Sequence, residues 1–519
     1  MTKSYYITTP IYYVNDKPHL GHAYTTIACD VLARFKRLDG YDVRFMTGTD
    51  EHGLKVKQAS EKAGVDPQTF TDQVSQNFRD LCPLLNYSND DFIRTTEPRH
   101  IKACQQLWNT LVEKGDIYLG KYEGWYAVRD EAYYAEDELK DGPNGKKVAP
   151  SGAEVEWMVE ESYFFKLSAW GERLLKFYEQ NPDFIQPEAR ANEVKRFVEG
   201  GLKDLSVSRT AFDWGVPVPG NDKHIMYVWI DALTNYLTVA GYPDTNGADY
   251  KKYWPADLHM VGKDILRFHA VYWPAFLMAA DLPPPKRVFA HGWWTIEGQK
   301  MSKSLGNVIA PADLVARYGV DGSRYFLLRE VPFGNDGDFS HANALNRINN
   351  DLANGLGNLA QRTLSFIFKN CEGKIPAPNE LTADDKALLE AAQVTMLQTA
   401  RKEFDQQRFN RALEAIWSVV DKANLYIDVQ APWTLKKTDV VRMNTVLYVL
   451  TETIRCLALA IQPVVPDSAA KMLDQLNIPA EQRSFEFIAA AHAIKAGSDI
   501  PQPQGIFPRL VEEGQKVAV

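Results

Sequence analysis

Two short segments of this chain carry residues suited to handling a nucleoside triphosphate. The first is His19-Leu20-Gly21-His22; the second is Lys300-Met301-Ser302-Lys303-Ser304. Histidines three positions apart share one side of a helical turn. Their imidazoles can donate hydrogen bonds to a phosphoryl group as charge builds on it. Gly21 has no Cβ, so a flat adenine ring can approach the backbone closely. In the second segment, Lys300 and Lys303 sit on a stretch bracketed by Gly298 and Gly306, as a mobile loop requires. Two ammonium groups there can follow a triphosphate and stabilise charge on a departing pyrophosphate. Each segment alone also fits a solvated surface turn. Together on one chain they point to a single ATP-using site. No Ser/His/Asp array accompanies them, so positioning and electrostatics must carry the chemistry.

The elements around these segments support that placement. Residues 4–14 are rich in Tyr, Ile and Thr and read as a strand. After the Asn15-Asp16-Lys17-Pro18 turn, Ala23, Ile27, Val31, Leu32, Phe35 and Leu38 recur at helical spacing. Gly40 ends that helix, and Val43, Phe45 and Met46 begin another strand. This is a βαβ unit of a parallel sheet, with the histidines at the sheet's ligand-binding edge. The helix start is expected to offer free N–H groups to phosphate. Further along, Ile225–Ile230 and Leu258–Val261 read as buried strands. The second is followed by Gly262 and a helix from about Asp264 to Ala280. Gly262 and Asp264 thus lie on a strand–helix junction suited to ATP. The intervening stretch, roughly 120–220, has clustered aromatics and an Asp141-Gly142-Pro143-Asn144-Gly145 turn, and reads as an inserted α+β domain. From about 341 to 475 the strand signals vanish and amphipathic helical patterns take over. The expected division is a parallel-sheet domain at 1–119 and 226–290, an insertion at 120–225, a lysine-loop region at 291–340, and a helical domain with an irregular tail at 341–519.

Bulk composition narrows the class. A length of 519 residues suggests about three domains. The 45% hydrophobic and 24% charged content is ordinary for a globular chain. Five scattered cysteines, with none between Cys104 and Cys371, argue against a disulfide framework and a cysteine-rich zinc site. A reducing cytoplasm is the expected home, and no secretory signal is visible. The apolar run Val446–Val465 contains Glu452 and Arg455, so a buried helix is expected rather than a membrane span. A net charge of −9 gives no global hint of nucleic-acid binding, which needs only a local basic stripe.

The paired motifs are the signature of class I aminoacyl-tRNA synthetases. The residues between them resemble the methionyl-tRNA synthetases. That resemblance runs through Ile7–His22, Gly48-Thr49-Asp50-Glu51-His52-Gly53, Tyr227-Val228-Trp229-Ile230-Asp231-Ala232, Gly262-Lys263-Asp264-Ile265, Phe268-His269 and Ala431-Pro432-Trp433. It implies a Rossmann-like catalytic domain, split by the insertion and followed by an all-α anticodon-binding domain. It also implies formation of methionyl-adenylate from L-methionine and ATP, then transfer to tRNA. Without cysteines in the insertion, a zinc-free short form is expected, with Mg2+ entering only with ATP. The expected partners are tRNA(Met) and the initiator tRNA, with no membrane. A monomer is expected because no further tRNA-binding module follows the bundle.

The resemblance also distributes roles. His19, His22, Lys300, Lys303 and Arg209 are expected to be catalytic, although Arg209 also fits a lone surface arginine. ATP is expected on His19, Gly21, His22, Gly262, Asp264, His291, Trp294 and Lys303. Methionine needs a dry, polarizable pocket and an anion for its ammonium group. Asp50, ending a strand at the ligand edge, is the ammonium partner. Pro10, Ile11, Tyr13, Trp229, Leu233, Tyr236, Ile265, Phe268 and His269 match the pocket, where aromatic rings gain contacts with a thioether. By type alone, Trp229, Tyr236 and Phe268 fit an ordinary core equally well. Pro10 and Leu233 depart from commoner residues of the family. Asn358 and Arg362, on one helix face, match anticodon contacts, as do Pro432 and Trp433; a tryptophan after a rigid proline can stack on an unpaired base. The competing readings are another class I synthetase, a catalytically idle tRNA-binding paralogue, and a small nucleotidylyltransferase. Chain length, both intact motifs and the helical C-terminal region disfavour them.

Overall fold

The computed structural model describes residues 3–14, 17–130, 132–142, 145–301 and 306–511. Its centre is a seven-stranded sheet in which every paired neighbour runs parallel. The strand order is Ile185–Gln186, Val288–His291, Leu258–Gly262, Ser4–Thr8 and Asp42–Asp50. Both Tyr12–Tyr13 and Asp91–Arg94 then pair with Asp42–Asp50. Ser4–Thr8 lies between a strand from the first half of the chain and one from the second. That is the switch point beyond which ligands bind in such sheets. The helix Leu20–Leu38 leaves this edge, burying Ala23, Ile27, Val31, Leu32 and Phe35. It ends at Asp39, where Gly40 adopts φ +85°.

One expected strand is not there. Only Ile225–Met226 is extended, antiparallel to Ser208–Arg209, and Val228–Val239 is helical. A short buried apolar run does not distinguish strand from buried helix by period. The decisive features lie beyond it. Tyr227 takes the N-cap position, Asp231 sits in the first turn, and Leu233 and Leu237 continue the buried face.

The segment between the two halves forms an antiparallel sheet of Leu205–Ser206, Glu156–Phe165, Ile117–Ala127 and Ala132–Tyr134, with helices Gly171–Gln180 and Glu188–Glu199. Between those helices the chain returns to the parallel sheet, where Ile185–Gln186 pairs with Val288–Phe289. Of the expected turn there, Pro143 and Asn144 lie outside the described residues; Lys140–Asp141 and Lys147–Val148 pair around it.

From His341 to His492 the chain is mainly helical, dominated by Phe409–Gln430 and Val440–Ile461. The second helix is long and apolar enough to cross a membrane by composition, yet 89% of its apolar window is buried in the protein. Its charges are satisfied internally: Arg455 donates to Glu452 at 2.6 and 2.8 Å, and Glu452 accepts the Ile494 N–H. This helical region is not a separate bead. One continuous apolar core runs from the Leu20–Leu38 helix through Pro311–Arg329 into the long helices. A second core packs the other sheet face against the Val228–Val239 helix and the insertion.

Candidate active site

His19 is the N-cap of the Leu20–Leu38 helix. Its Nδ1 accepts the Gly21 N–H at 3.0 Å, and His22 Nδ1 accepts the His19 N–H at 3.1 Å. The Leu20 N–H donates to the Ile309 carbonyl at 3.0 Å. These first-turn amides are therefore engaged, contrary to the expectation that they stand free for phosphate. What remains is better defined. An imidazole accepting at Nδ1 carries its proton on Nε2 when neutral. Burial pushes His19 below the ordinary imidazole range, against a nearby Asp264, and pushes His22 well below it. The two rings, 3.9 Å apart between centroids, thus present neutral Nε2–H donors. Gly21 is needed on geometric grounds, since a Cβ there would lie 2.9 Å from His19 Cε1.

The Leu20–Ile309 bond also ties the histidine helix to the chain just beyond the lysine segment, since Ile309 lies five residues after Ser304. Lys300 lies on the exposed strand Gln299–Lys300, which forms a hairpin with Trp294–Ile296. The turn residues Glu297 and Gly298 have φ +48° and +77°. Asp338 clamps the hairpin, accepting from Thr295 Oγ1 at 2.6 Å and the Gly298 N–H at 2.8 Å. Lys300 Nζ sits 5.3 Å from the Trp293 ring centroid. Lys303 lies outside the described residues.

Gly262 and Asp264 meet as expected at the strand–helix junction. A Cβ on Gly262 would stand 2.5 Å from Asp264 Oδ1. The neighbours require correction. Trp294 is buried against Tyr24, Phe326 and Phe339 and does not face this edge. The exposed ring is that of Trp293, whose Nε1–H donates to Asp264 at 3.2 Å. His291 is also buried, with Nε2 2.7 Å from Thr25 Oγ1 and Nδ1 2.8 Å from the Gly292 carbonyl. It braces the first helix against the sheet. Trp293 lies in the link between the strands Val288–His291 and Trp294–Ile296, so its ring is free of the packing that buries 291 and 294.

Ile11, Trp229, Leu233, Tyr236 and Ile265 come together in one apolar cluster. Phe268 stacks on Trp229 with centroids 3.5 Å apart and planes 9° apart. Pro10 is buried at the end of the first strand. Tyr13 pairs with Asp50 across adjacent strands, and its ring belongs to a neighbouring cluster with Val14, Val56 and Phe78. His269 Nδ1 lies 2.9 Å from the Ile265 carbonyl, which fixes its proton there. Its Nε2 therefore accepts from Tyr236 Oη at 2.7 Å. Burial pushes His269 down to about 4 and Tyr236 far up, so both stay neutral. Arg209 is not a surface residue. It is 2% exposed and donates to Ser206 Oγ and the Ser208 carbonyl. Its guanidinium lies 4.0 Å from the Tyr227 ring centroid and 4.7 Å from that of Tyr133.

Sequence reasoning missed the polar frame around Asp50. Arg94 holds buried Glu51 in a bidentate pair at 2.6 and 2.9 Å. Asp231 accepts from His52 at 2.5 Å and His100 at 2.7 Å. The available signal was a charged residue inside an apolar run, Asp231 within Val228–Leu233.

In the helical domain, Arg362 pairs with Asp428 at 2.7 Å and lies 5.3 Å from the Trp433 ring centroid. Trp433 is 43% exposed, while Pro432 is buried at the start of the short helix Pro432–Thr438. Asn358 is exposed one turn before Arg362. Asp428 carried no sequence signal.

Residues 5–364 match the family described as tRNA synthetases class I (M), and residues 375–517 match the anticodon binding domain of methionyl tRNA ligase. The chain is 56% identical over 514 residues to a methionine–tRNA ligase of Brucella suis, covering 99% of each. It is 55% identical to the corresponding enzyme of Rickettsia bellii, over 99% of this chain and 100% of the relative. It superposes with a TM-score of 0.95 on a Mycobacterium tuberculosis methionyl-tRNA synthetase in complex with methionyl-adenylate, at 53% identity and covering 98% of this chain and 100% of that one.

Proposed function

The chain belongs to the methionyl-tRNA synthetases of class I, and from that premise we propose how its residues divide the work. The reaction is the ATP-dependent ligation of methionine to tRNA. The methionine carboxylate attacks the α-phosphate of ATP, giving methionyl-adenylate and pyrophosphate. The terminal ribose hydroxyl of the tRNA then takes the methionyl group, and AMP leaves.

In our assignment, His19 and His22 donate Nε2–H bonds to the phosphates. Both are neutral with Nδ1 already accepting a backbone N–H, so each offers Nε2–H as its donor. Lys300 and Lys303 neutralise the departing pyrophosphate, and Gly262 with Asp264 holds the nucleoside. Trp293 takes the role first given to Trp294. Asp50 holds the methionine ammonium. Trp229, Phe268, Tyr236 and His269 line the thioether pocket, with Pro10, Ile11, Tyr13, Leu233 and Ile265 closing it. Arg209 supplies a buried positive charge beside the helix that carries Trp229. Asn358, Arg362, Pro432 and Trp433 receive the anticodon. ATP enters as its Mg2+ complex, held through the phosphates. The insertion, 120–225 in our division, is packed by aromatics without zinc; stoichiometric zinc in metal analysis counts against this. Initiator tRNA as a second substrate, a monomeric working form and a cytoplasmic setting complete the proposal.

The observation that supports it is the Leu20–Ile309 bond, which ties the start of the histidine helix to the stretch that follows the lysine segment. The test is ATP–pyrophosphate exchange with each amino acid in turn. Methionine is expected to stimulate exchange above all others; another amino acid doing so defeats the specificity assignment. Trp433→Ala is expected to lower tRNA charging by about a hundredfold with exchange changed less than about twofold, since stacking on a base matters only when tRNA binds. Equal loss of both activities assigns the tryptophan to the fold.

A further inference from the structure

The loop that presents Asp50 and the helix that presents Trp229 meet at one fully buried carboxylate. Asp231 is 0% exposed. Its Oδ2 lies 2.5 Å from His52 Nδ1 and its Oδ1 lies 2.7 Å from His100 Nε2. His100, on the helix Pro98–Glu113, also lies 3.0 Å from Thr238 Oγ1, in the last turn of the Trp229 helix. A carboxylate with both oxygens accepting from ring N–H groups has few rotational alternatives, and neither do its partners. Burial alone would raise its pKa; the two imidazoles outweigh that and hold the carboxyl well below the usual carboxylate range.

The rest of the loop is pinned on its other sides. The Trp214 Nε1–H donates to the Glu51 carbonyl at 2.6 Å, and the Gly53 N–H donates to the Trp214 carbonyl at 3.1 Å. The Glu51 N–H donates to Thr95 Oγ1 at 2.9 Å. None of these bonds reaches the Trp229 helix. A contact that does is His52–Asp231: His52 is two residues from Asp50, and Asp231 is two residues from Trp229.

We infer that Asp231 is a positioning residue for methionine recognition, fixing the distance between the ammonium-binding carboxylate and the thioether pocket through His52, while His100 holds its other oxygen. This rests on the reading that Asp50 and Trp229 hold the amino acid. Binding two ends of a small substrate demands that both ends be held to a fraction of an ångström. A bridge acting only between those ends changes methionine affinity and leaves ATP alone.

The experiment measures methionine and ATP KM separately by ATP–pyrophosphate exchange. Asp231→Asn presents an amide N–H to one of the two donors. It is expected to raise the methionine KM at least about tenfold, with ATP KM and kcat changed less than about threefold. His52→Leu is expected to do the same. His52→Asn restores an N–H near the Nδ1 position and is expected to bring the methionine KM back within about threefold of the parent. An unchanged methionine KM in Asp231→Asn overturns the inference. So does a joint loss of both KM values and kcat that His52→Asn fails to relieve, which marks a merely structural cluster. Asp50→Asn serves as the separate control: if it leaves the methionine KM unmoved, the pocket reading itself falls, whatever Asp231 does.

Discussion

His269 must be neutral to accept a hydrogen bond from Tyr236, and its surroundings enforce this. Burial pushes its imidazole down to about 4, from an ordinary value near 6.5. Between those values the unfolded chain binds a proton that the folded chain refuses. The contribution to stability is therefore complete above the unfolded value and is lost as pH falls towards the folded one. From about pH 7.5 to about pH 5 this residue alone should cost about 2 kcal/mol. Urea titrations at both pH values, comparing the parent with His269→Gln, should show the variant losing less stability on acidification by about that amount. Equal losses would mean that the imidazole titrates normally. His19 and His22 obey the same logic at the sheet edge, where burial is the largest cause of neutrality and the two Nδ1 acceptors fix the proton on Nε2.

At the scale of elements, the hairpin that carries Lys300 owes its position to Asp338. The carboxylate lies on the adjacent strand Gly337–Phe339, which pairs parallel with Trp294–Ile296. It ties the hairpin turn at Gly298 and the strand at Thr295 to one point. Removing it frees the turn without touching the pocket. Asp338→Ala should lower methionine-dependent exchange roughly tenfold and change the methionine KM less than about twofold, because only the pyrophosphate side loses its alignment. A methionine KM that rises in step would show the hairpin supporting the pocket as well. The helix Val228–Val239 makes a related point. Its apolar run reads equally as a strand until Asp231 is given a buried partner, and those partners lie more than a hundred residues away in the chain.

Across the whole molecule, catalytic and helical regions are locked by Arg324 on the helix Pro311–Arg329. Its guanidinium is fully buried and donates to Asp30 on the first helix at 2.6 Å. It also reaches the Leu85 carbonyl and the Pro463 and Val464 carbonyls of the helical region. Asp30 is held below the usual carboxylate range despite its burial, by Arg324 and Arg34. Arg324→Met leaves that carboxylate without its main partner. It should destabilise the protein by about 3–5 kcal/mol in guanidinium unfolding; a loss below about 1 kcal/mol would show that Asp30 is satisfied by Arg34 and Ser88 alone. The same arginine lies fifteen residues beyond Ile309, so one segment ties the lysine hairpin, the histidine helix and the anticodon domain together.

The sequence by itself determined the chemistry-bearing segments, the parallel sheet with its split, and the helical C-terminal region. Those features are local: motif spacing, the period of apolar residues, and glycine where a Cβ cannot fit. Tertiary structure alone decided which of two adjacent tryptophans faces the nucleotide edge and that His291 is a brace. It decided that Arg209 is caged by tyrosines and that the first-turn amides are already engaged. It also supplied the partners of Asp231, Asp338, Asp428 and Arg324, all distant in the chain. The physical reason is that a side chain's burial and its hydrogen-bond partner depend on segments distant in the chain. A polar residue inside an apolar run announces that a partner exists, but only the packed fold supplies the partner's identity.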